Sequence, residues 1–392
     1  MRYVIVIADG SAITHDDNPD LYAALDGAQT PALDAMGRLG KIGAAATAAG
    51  GAASFSRGAL ALLGLDDGAR TVSNAVVEAR ALGVALSSDD TVLRIGLLRV
   101  SPDDREGLAL GGCDAGPEEA GALLDDLADH WRNRGLLDGV EIIGNGFERL
   151  LVVSRGDADL LSVEMVDPAS FTGERWVEHL PDGGPPHASE WACALISESR
   201  HFLAMHPVNA ARTEQGLDPV NLAWVWDAGR GPEMPTDQPL GADAAWLVDE
   251  GFGAGEGVCR LLGAEPTIAP EAEIARLASA EAAPVVVLLV RRCAEELDRS
   301  VAGPLLETLA GSTLPTIHDL DDADWRLLVA ISHDPKGLAG GGGGLTPFAL
   351  AGGRVRSVVD RRLSGAVGSD LRVDPANELL EYVLRSGLRG IV

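Results

Sequence analysis

Two side chains stand where parallel sheets usually gather their chemistry. Asp9 closes the apolar run of residues 3–8 (YVIVIA), and His333 directly follows a second apolar run, residues 325–332 (WRLLVAIS). Apolar runs without alternation belong to strands covered on both faces, and ligands collect at the carboxyl ends of such strands. A carboxylate and an imidazole on neighbouring strand ends are half of a divalent-metal site. A strand-ending aspartate is also an ordinary loop cap, so both readings stay open. Ser54 and Ser56 flank Phe55 ahead of a helical stretch, where a hydroxyl serves as an N-cap or, once activated, as a nucleophile. Arg149 and Arg212 carry planar forks suited to phosphate or carboxylate. Their alternative is pairing with some of the 59 acidic side chains.

Other suggestive patterns carry less. Residues 340–344 are five consecutive glycines, but no lysine follows and LTPFAL reads as a strand, so a flexible loop is preferred to a phosphate cradle. Asp319, Asp321, Asp322 and Asp324 lack the central glycine and closing glutamate of a calcium loop, which leaves a solvated turn. Cys113, Cys193, Cys259 and Cys293 are too widely spaced for a metal knuckle and are expected to be reduced, structural thiols.

The elements that would position these groups follow from local pattern. Residues 30–43 (TPALDAMGRLGKIG) start like a helix, with Thr30 as cap, Pro31 at its first position, and Leu33, Met36 and Leu39 on one face. From Asp89 the texture changes: a strand (TVLRIGLLRV), an amphipathic helix (EEAGALLDDLADHWRNRG), then strand again. The last third alternates strand and helix once more. The expected fold is therefore α/β, a mostly parallel sheet flanked by helices, interrupted by an inserted α+β cap domain. The expected boundaries are residues 1–80 and 235–392 for the core and 81–234 for the insertion.

The chain has 392 residues, and 31 Lys+Arg against 59 Asp+Glu leave a formal charge of −28. Such a charge repels phosphate backbones and anionic lipid, so neither nucleic acid nor membrane is expected as partner. The longest apolar run, residues 282–290, contains Pro284 and falls far short of the roughly 20 residues of a bilayer span. The opening MRYVIVIADG is too short for a signal peptide, and a cytoplasmic location is expected. Nothing in the pattern sets an oligomeric state.

Four stretches, in order, resemble the archaeal-type cofactor-independent (2,3-bisphosphoglycerate-independent) phosphoglycerate mutases of the alkaline phosphatase superfamily. YVIVIADG resembles their strand ending in GDG. TPALDAMGRLGKIG is similar to TPNxDxLAxxGxxG, and LALLGLDD (residues 60–67) to LSLLGYDP. Residues 206–235 resemble a pattern of HxxN, arginine, glycine and PxN before a WLWGxG strand. The matching positions are Asn209, Arg212, Gly216, Pro219, Asn221, Trp224 and Trp226. The resemblance implies an alkaline-phosphatase-like core and a glycolytic isomerase that moves a phosphoryl group between the 3- and 2-positions of glycerate. It implies a serine that accepts and returns the group beside two divalent ions, manganese or zinc.

The chain departs from that pattern where the metals should bind. Asp9 matches the first ligand, but the nucleophile register falls on Phe55, with Ser56 one residue away. The motif APDEAGH, expected after VVVLLV, is replaced by RRCAEELDRS. DHxTP is here SHDP, keeping His333 and losing the aspartate to Ser332. The final histidine has become the glycine tract, and PPHD is reduced to Asp167-Pro168-Ala169-Ser170. The reading is a phosphoglycerate-mutase-like pseudoenzyme with Asp9 and His333 holding at most one weak metal ion and Ser56 as residual catalytic group. Arg149, Asn209 and Arg212 would contact a small phosphorylated acid. The alternatives are an active metal-dependent mutase or phosphotransferase with a rebuilt site, and a different, metal-light enzyme using the cleft.

Overall fold

The computed structural model describes residues 1–10, 13, 21–46, 55–65, 72–101, 107–144, 148–153, 158–230, 240, 243–270, 273–313, 315–332, 345–355, 362–363, 371–376 and 378–384. The chain forms two compact units, one of Met1–Thr71 with Met234–Val392, the other of Val72–Glu233.

Strand β1 (Arg2–Asp9) opens the chain, with Val4 to Ala8 buried. Helices α1 (Leu21–Gly27) and α2 (Pro31–Leu39) follow. Leu33 and Met36 of α2 turn inward as their spacing requires, but the Thr30 side chain makes no capping bond. That task falls to Asp298, whose carboxylate accepts from the Ala32 and Leu33 N–H groups. After β2 (Lys41–Ala46) comes α3 (Phe55–Leu62), which places Ser56 inside the first helical turn.

The inserted unit begins with α4 (Asn74–Ala81), which Ser73 caps by accepting from the Val76 N–H. It continues through β3 (Thr91–Val100), β4 (Ala109–Gly112), α5 (Pro117–Asn133), β5 (Val140–Ile143) and β6 (Glu148–Val153). Helices α6 (Pro186–Ala204) and α7 (Pro207–Glu214) lead to β7 (Val220–Arg230). All its strand pairings are antiparallel, with β3 pairing to β4, β6 and β7. The apolar stripe of α5, including Leu123, Leu127 and Trp131, lies in the core of this unit. The core part expected to run to residue 80 stops at Thr71, because α4 is tied to β7: the Ala75 N–H donates to the Asp227 carboxylate at 2.9 Å.

The chain then returns through β8 (Ala245–Asp249), α8 (Gly253–Leu261), β9 (Thr267–Ala269), α9 (Ile274–Ala280) and β10 (Val285–Val290). A continuous helical run follows: α10 (Ala294–Glu296), a π segment (Leu297–Ala302) and α11 (Gly303–Ala310). Helix α12 (Ile317–Asp321), strands β11 (Trp325–Ser332), β12 (Leu345–Gly352) and β13 (Arg372–Val373), and α13 (Glu378–Leu384) complete the unit. Asp319 forms a capping box with Thr316, so this part of the acidic cluster starts a helix.

Among the described residues the core sheet has eight strands in the order β13-β2-β12-β11-β1-β10-β8-β9. β1 lies parallel between β10 and β11, with Ile5 opposite Val287 and Leu328. β12 alone breaks the parallel pattern, running antiparallel to both β11 and β2. The expected α/β class with a mostly parallel sheet is therefore borne out. The central strands are buried along nearly their whole length, and each buried Val, Ile or Leu contributes about 1.5–3 kcal/mol to folding. Among the described residues no helix is long and apolar enough to cross a membrane.

Candidate functional site

The carboxyl ends of β11, β1, β10 and β8 stand side by side. Asp9 ends β1 and is 8% exposed, and the parallel register sets it opposite Ser332, the last residue of β11. The Ser332 hydroxyl donates to the Phe55 carbonyl oxygen at 3.1 Å. Gly58, one turn along α3, leaves the room: a Cβ there would lie 2.0 Å from Ser332 Oγ. Phe55 in turn rests on Phe252, with ring centroids 4.7 Å apart. Ser56 follows immediately, 3% exposed, with no hydrogen-bond partner for its hydroxyl among the described residues.

On the other side of β1 the strand ends hold an ion pair. Asp249 ends β8, and Arg292 follows β10 by two residues. Arg292 Nη2 reaches Asp249 Oδ1 at 2.7 Å, while the Arg291 N–H donates to Oδ2 at 2.9 Å. The Asp249 side chain is 2% exposed, so its charge is neutralised inside the protein. Sequence reasoning passed over this pair. Asp249 ends an apolar run (AWLV) in the same way as Asp9, which was the available signal.

His333, Ser54 and the glycine tract of residues 340–344 lie outside the described residues. Among those described, no group of three or more His, Cys, Asp or Glu side chains is arranged to hold a metal ion. Asp249 is engaged by Arg292 and Arg291, and the neighbour of Asp9 across the register is a hydroxyl already spent as a donor. The described donor set does not fit a two-ion centre.

Arg149, Asn209 and Arg212 belong to the inserted unit, and Asp9 and Ser56 to the other. Asn209 is 2% exposed: its Nδ2 donates to the Leu203 and Val220 carbonyls, and its Oδ1 accepts from the Val220 N–H. Arg212 uses its whole fork, Nε to the Asp218 carbonyl at 3.0 Å, Nη1 to Glu119 at 3.2 Å and Nη2 to Asp114. Arg149 pairs with Asp125 at 3.0 Å. His206 caps α7, accepting from the Val208 N–H on Nδ1 while Nε2 meets Asp126 at 3.0 Å. Asn221 closes on the Val100 backbone in both directions. The residues of the HxxN…R…PxN pattern thus make the contacts that fix α7 against β7 and α5. The four thiols are unbridged, and burial pushes Cys259 far above an ordinary thiol.

Comparison with known proteins agrees with this architecture. Residues 38–209 match the family model of 2,3-bisphosphoglycerate-independent phosphoglycerate mutase. The chain is phosphoglycerate-mutase-like. It is 31% identical over 241 residues to the 2,3-bisphosphoglycerate-independent phosphoglycerate mutase of Methanosarcina acetivorans, covering 61% of this chain and 58% of that one. The Methanosarcina barkeri protein of the same name is 32% identical over 60% of this chain and 56% of its own length. The chain thus spans less than three fifths of these two relatives in the matched region. A longer, weaker match is the Methanothrix thermoacetophila protein of that name, 26% identical over 91% of this chain and 92% of the relative. Among solved structures, the PH0037 protein from Pyrococcus horikoshii superposes with a TM-score of 0.59 at 17% identity, over 100% of this chain and 99% of that one. The cofactor-independent phosphoglycerate mutase from Thermoplasma acidophilum gives 0.50 at 18% identity, over 98% and 99%. Both likenesses bear on the fold alone.

Proposed function

We propose that this phosphoglycerate-mutase-like chain binds a small phosphorylated acid but has lost the two-metal chemistry of a mutase. The reading rests on one observation above others. Ser332, where the resemblance places a metal-binding aspartate, is committed to the Phe55 carbonyl and packed on Gly58. A serine hydroxyl needs an activating cation to attack phosphorus, and the transferred group needs positive charge opposite it. Asp9 and His333 are the remaining candidates for a single weakly held ion, manganese or zinc. A cytoplasmic location belongs to the same proposal.

A second reading has its own support. Ser56 is buried in the first turn of α3, with no hydrogen-bond partner for its hydroxyl among the described residues, which suits a retained nucleophile in a rebuilt site. One experiment separates the two. Metal-stripped protein is loaded with manganese or zinc, the bound ions are counted, and interconversion of 2- and 3-phosphoglycerate is assayed alongside calorimetric titration of 3-phosphoglycerate. Saturable binding without turnover supports the first reading. Two ions per chain, with turnover abolished by Ser56→Ala, overturn it in favour of the second. Absence of binding at millimolar ligand removes both.

A further inference from the structure

The first unit holds a cavity of about 620 Å³ between the start of α2 and the helical run that contains the π segment. A volume of that order suits a small organic molecule. Ala32, Ala35, Pro304 and Leu306 form apolar walls, and Glu295, Asp298, Arg299 and Glu307 supply the charges. The π segment is built in by Gly303, whose N–H reaches back five residues to the Asp298 carbonyl. A Cβ at Gly303 would sit 2.8 Å from that oxygen. Such widened turns recur at functional sites.

Asp298 is the unusual member of the lining. It is 4% exposed, and its carboxylate accepts two N–H groups, from Leu33 at 2.7 Å and Ala32 at 3.2 Å. No arginine, lysine or histidine pairs with it among the described residues, and two donors leave half of its acceptor capacity open. A buried carboxylate without a cation is costly, and burial, aided by Asp34, pushes the Asp298 carboxyl above its ordinary value. Glu295 and Glu307 add negative charge, and Arg299 offsets one of the three carboxylates. An anionic ligand would meet repulsion here, and a neutral one would leave Asp298 with only the two N–H groups of α2.

We propose that this cavity binds a small organic cation with an apolar body, of the alkyl- or cycloalkylammonium class, with Asp298 as its counter-ion. The ammonium N–H groups complete the Asp298 carboxylate, and the hydrocarbon lies on Ala32, Ala35 and Leu306. This site is independent of the strand ends and of the proposed function.

The test uses the full chain and cyclohexylammonium as probe, followed by ligand-observed NMR, with cyclohexanol and cyclohexanecarboxylate as controls. Saturable millimolar binding of the amine is expected, with cyclohexanol weaker by about tenfold or more, the scale of a charge-assisted hydrogen bond. Asp298→Asn should lose a comparable factor. Because that change also touches the cap of α2, Ala35→Trp provides a second variant that fills the cavity and leaves those hydrogen bonds alone. It should abolish binding while circular dichroism shows the fold intact. Equal binding of cyclohexanol, undiminished binding by a folded Ala35→Trp, or no saturable amine binding would overturn the proposal.

Discussion

The Ser332 hydroxyl and the Phe55 carbonyl, 277 residues apart in sequence, are joined by a 3.1 Å hydrogen bond at the carboxyl edge of the core sheet. Gly58 makes the approach possible, since a Cβ there would fall 2.0 Å from Ser332 Oγ. Gly58→Ala should therefore destabilise the chain by about 1–3 kcal/mol through overpacking. Adding Ser332→Ala removes the oxygen from the clash but still leaves the two side chains tight, at 3.2 Å. The double variant should recover part of the loss. Urea midpoints across the four-member cycle measure this, and strict additivity would contradict the contact.

Restoring the aspartate of the family pattern should not restore a metal site. In Ser332→Asp the new carboxylate would face the Phe55 carbonyl and Gly58, neither of which, among the described residues, donates to it. A cost of about 3–5 kcal/mol is expected, the range for an uncompensated buried charge. Denaturation and manganese titration on the variant check this together. A stable Ser332→Asp protein that gains a tightly bound ion would reverse the reading.

The Arg292–Asp249 pair should be demanding to break from one side. Arg292→Met leaves a carboxylate that is 2% exposed with the Arg291 N–H but without its guanidinium. A loss of about 3–5 kcal/mol is expected in urea denaturation. A variant as stable as the parent would mean that water reaches Asp249.

Arg212 is predicted to act on stability first. Its three nitrogens hold Asp218, Glu119 and Asp114. Arg212→Ala should cost about 2–4 kcal/mol, the sum of several hydrogen bonds to charged groups less the solvent contacts their partners regain. Arg212→Lys should recover only part of it, because lysine lacks the fork. If Arg212→Ala leaves the melting temperature unchanged and removes 3-phosphoglycerate binding, the arginine is a ligand contact after all.

Asp298 gives a pH dependence of definite sign. Its carboxyl is raised in the folded chain, chiefly by burial, so the native state keeps a proton that the unfolded state has already released. Stability from this group is fully present below the unfolded value, about pH 4. It is lost as pH rises through the raised native value. The stability difference between the parent and Asp298→Asn should accordingly shrink or turn negative as pH increases over that window. Urea midpoints as a function of pH decide the matter, and a difference growing with pH would mean the carboxylate is stabilised by a partner.

The sequence by itself determined the elements and which residues end the central strands. Unbroken apolar runs such as VVVLLV and LLVAI are best satisfied by strands covered on both faces, and the alternation of strand and helix at both ends follows from local periodicity. Asp9 at a strand end and the ordered motif matches were legible for the same reason: they depend on neighbours in sequence. Tertiary structure alone decided which charges meet. Arg212 looked like an anion contact, yet Glu119 and Asp114 lie 93 and 98 residues away and take up its fork. Thr30 looked like the cap of α2, yet a carboxylate more than 260 residues distant does that work. Ser332 reads as a lost ligand in sequence, and as a packed hydrogen-bond donor only once Phe55 and Gly58 are seen against it. With 59 acidic side chains available, any arginine has many possible partners. The choice among them is made by the chain closing on itself, through burial that makes an unpaired charge costly.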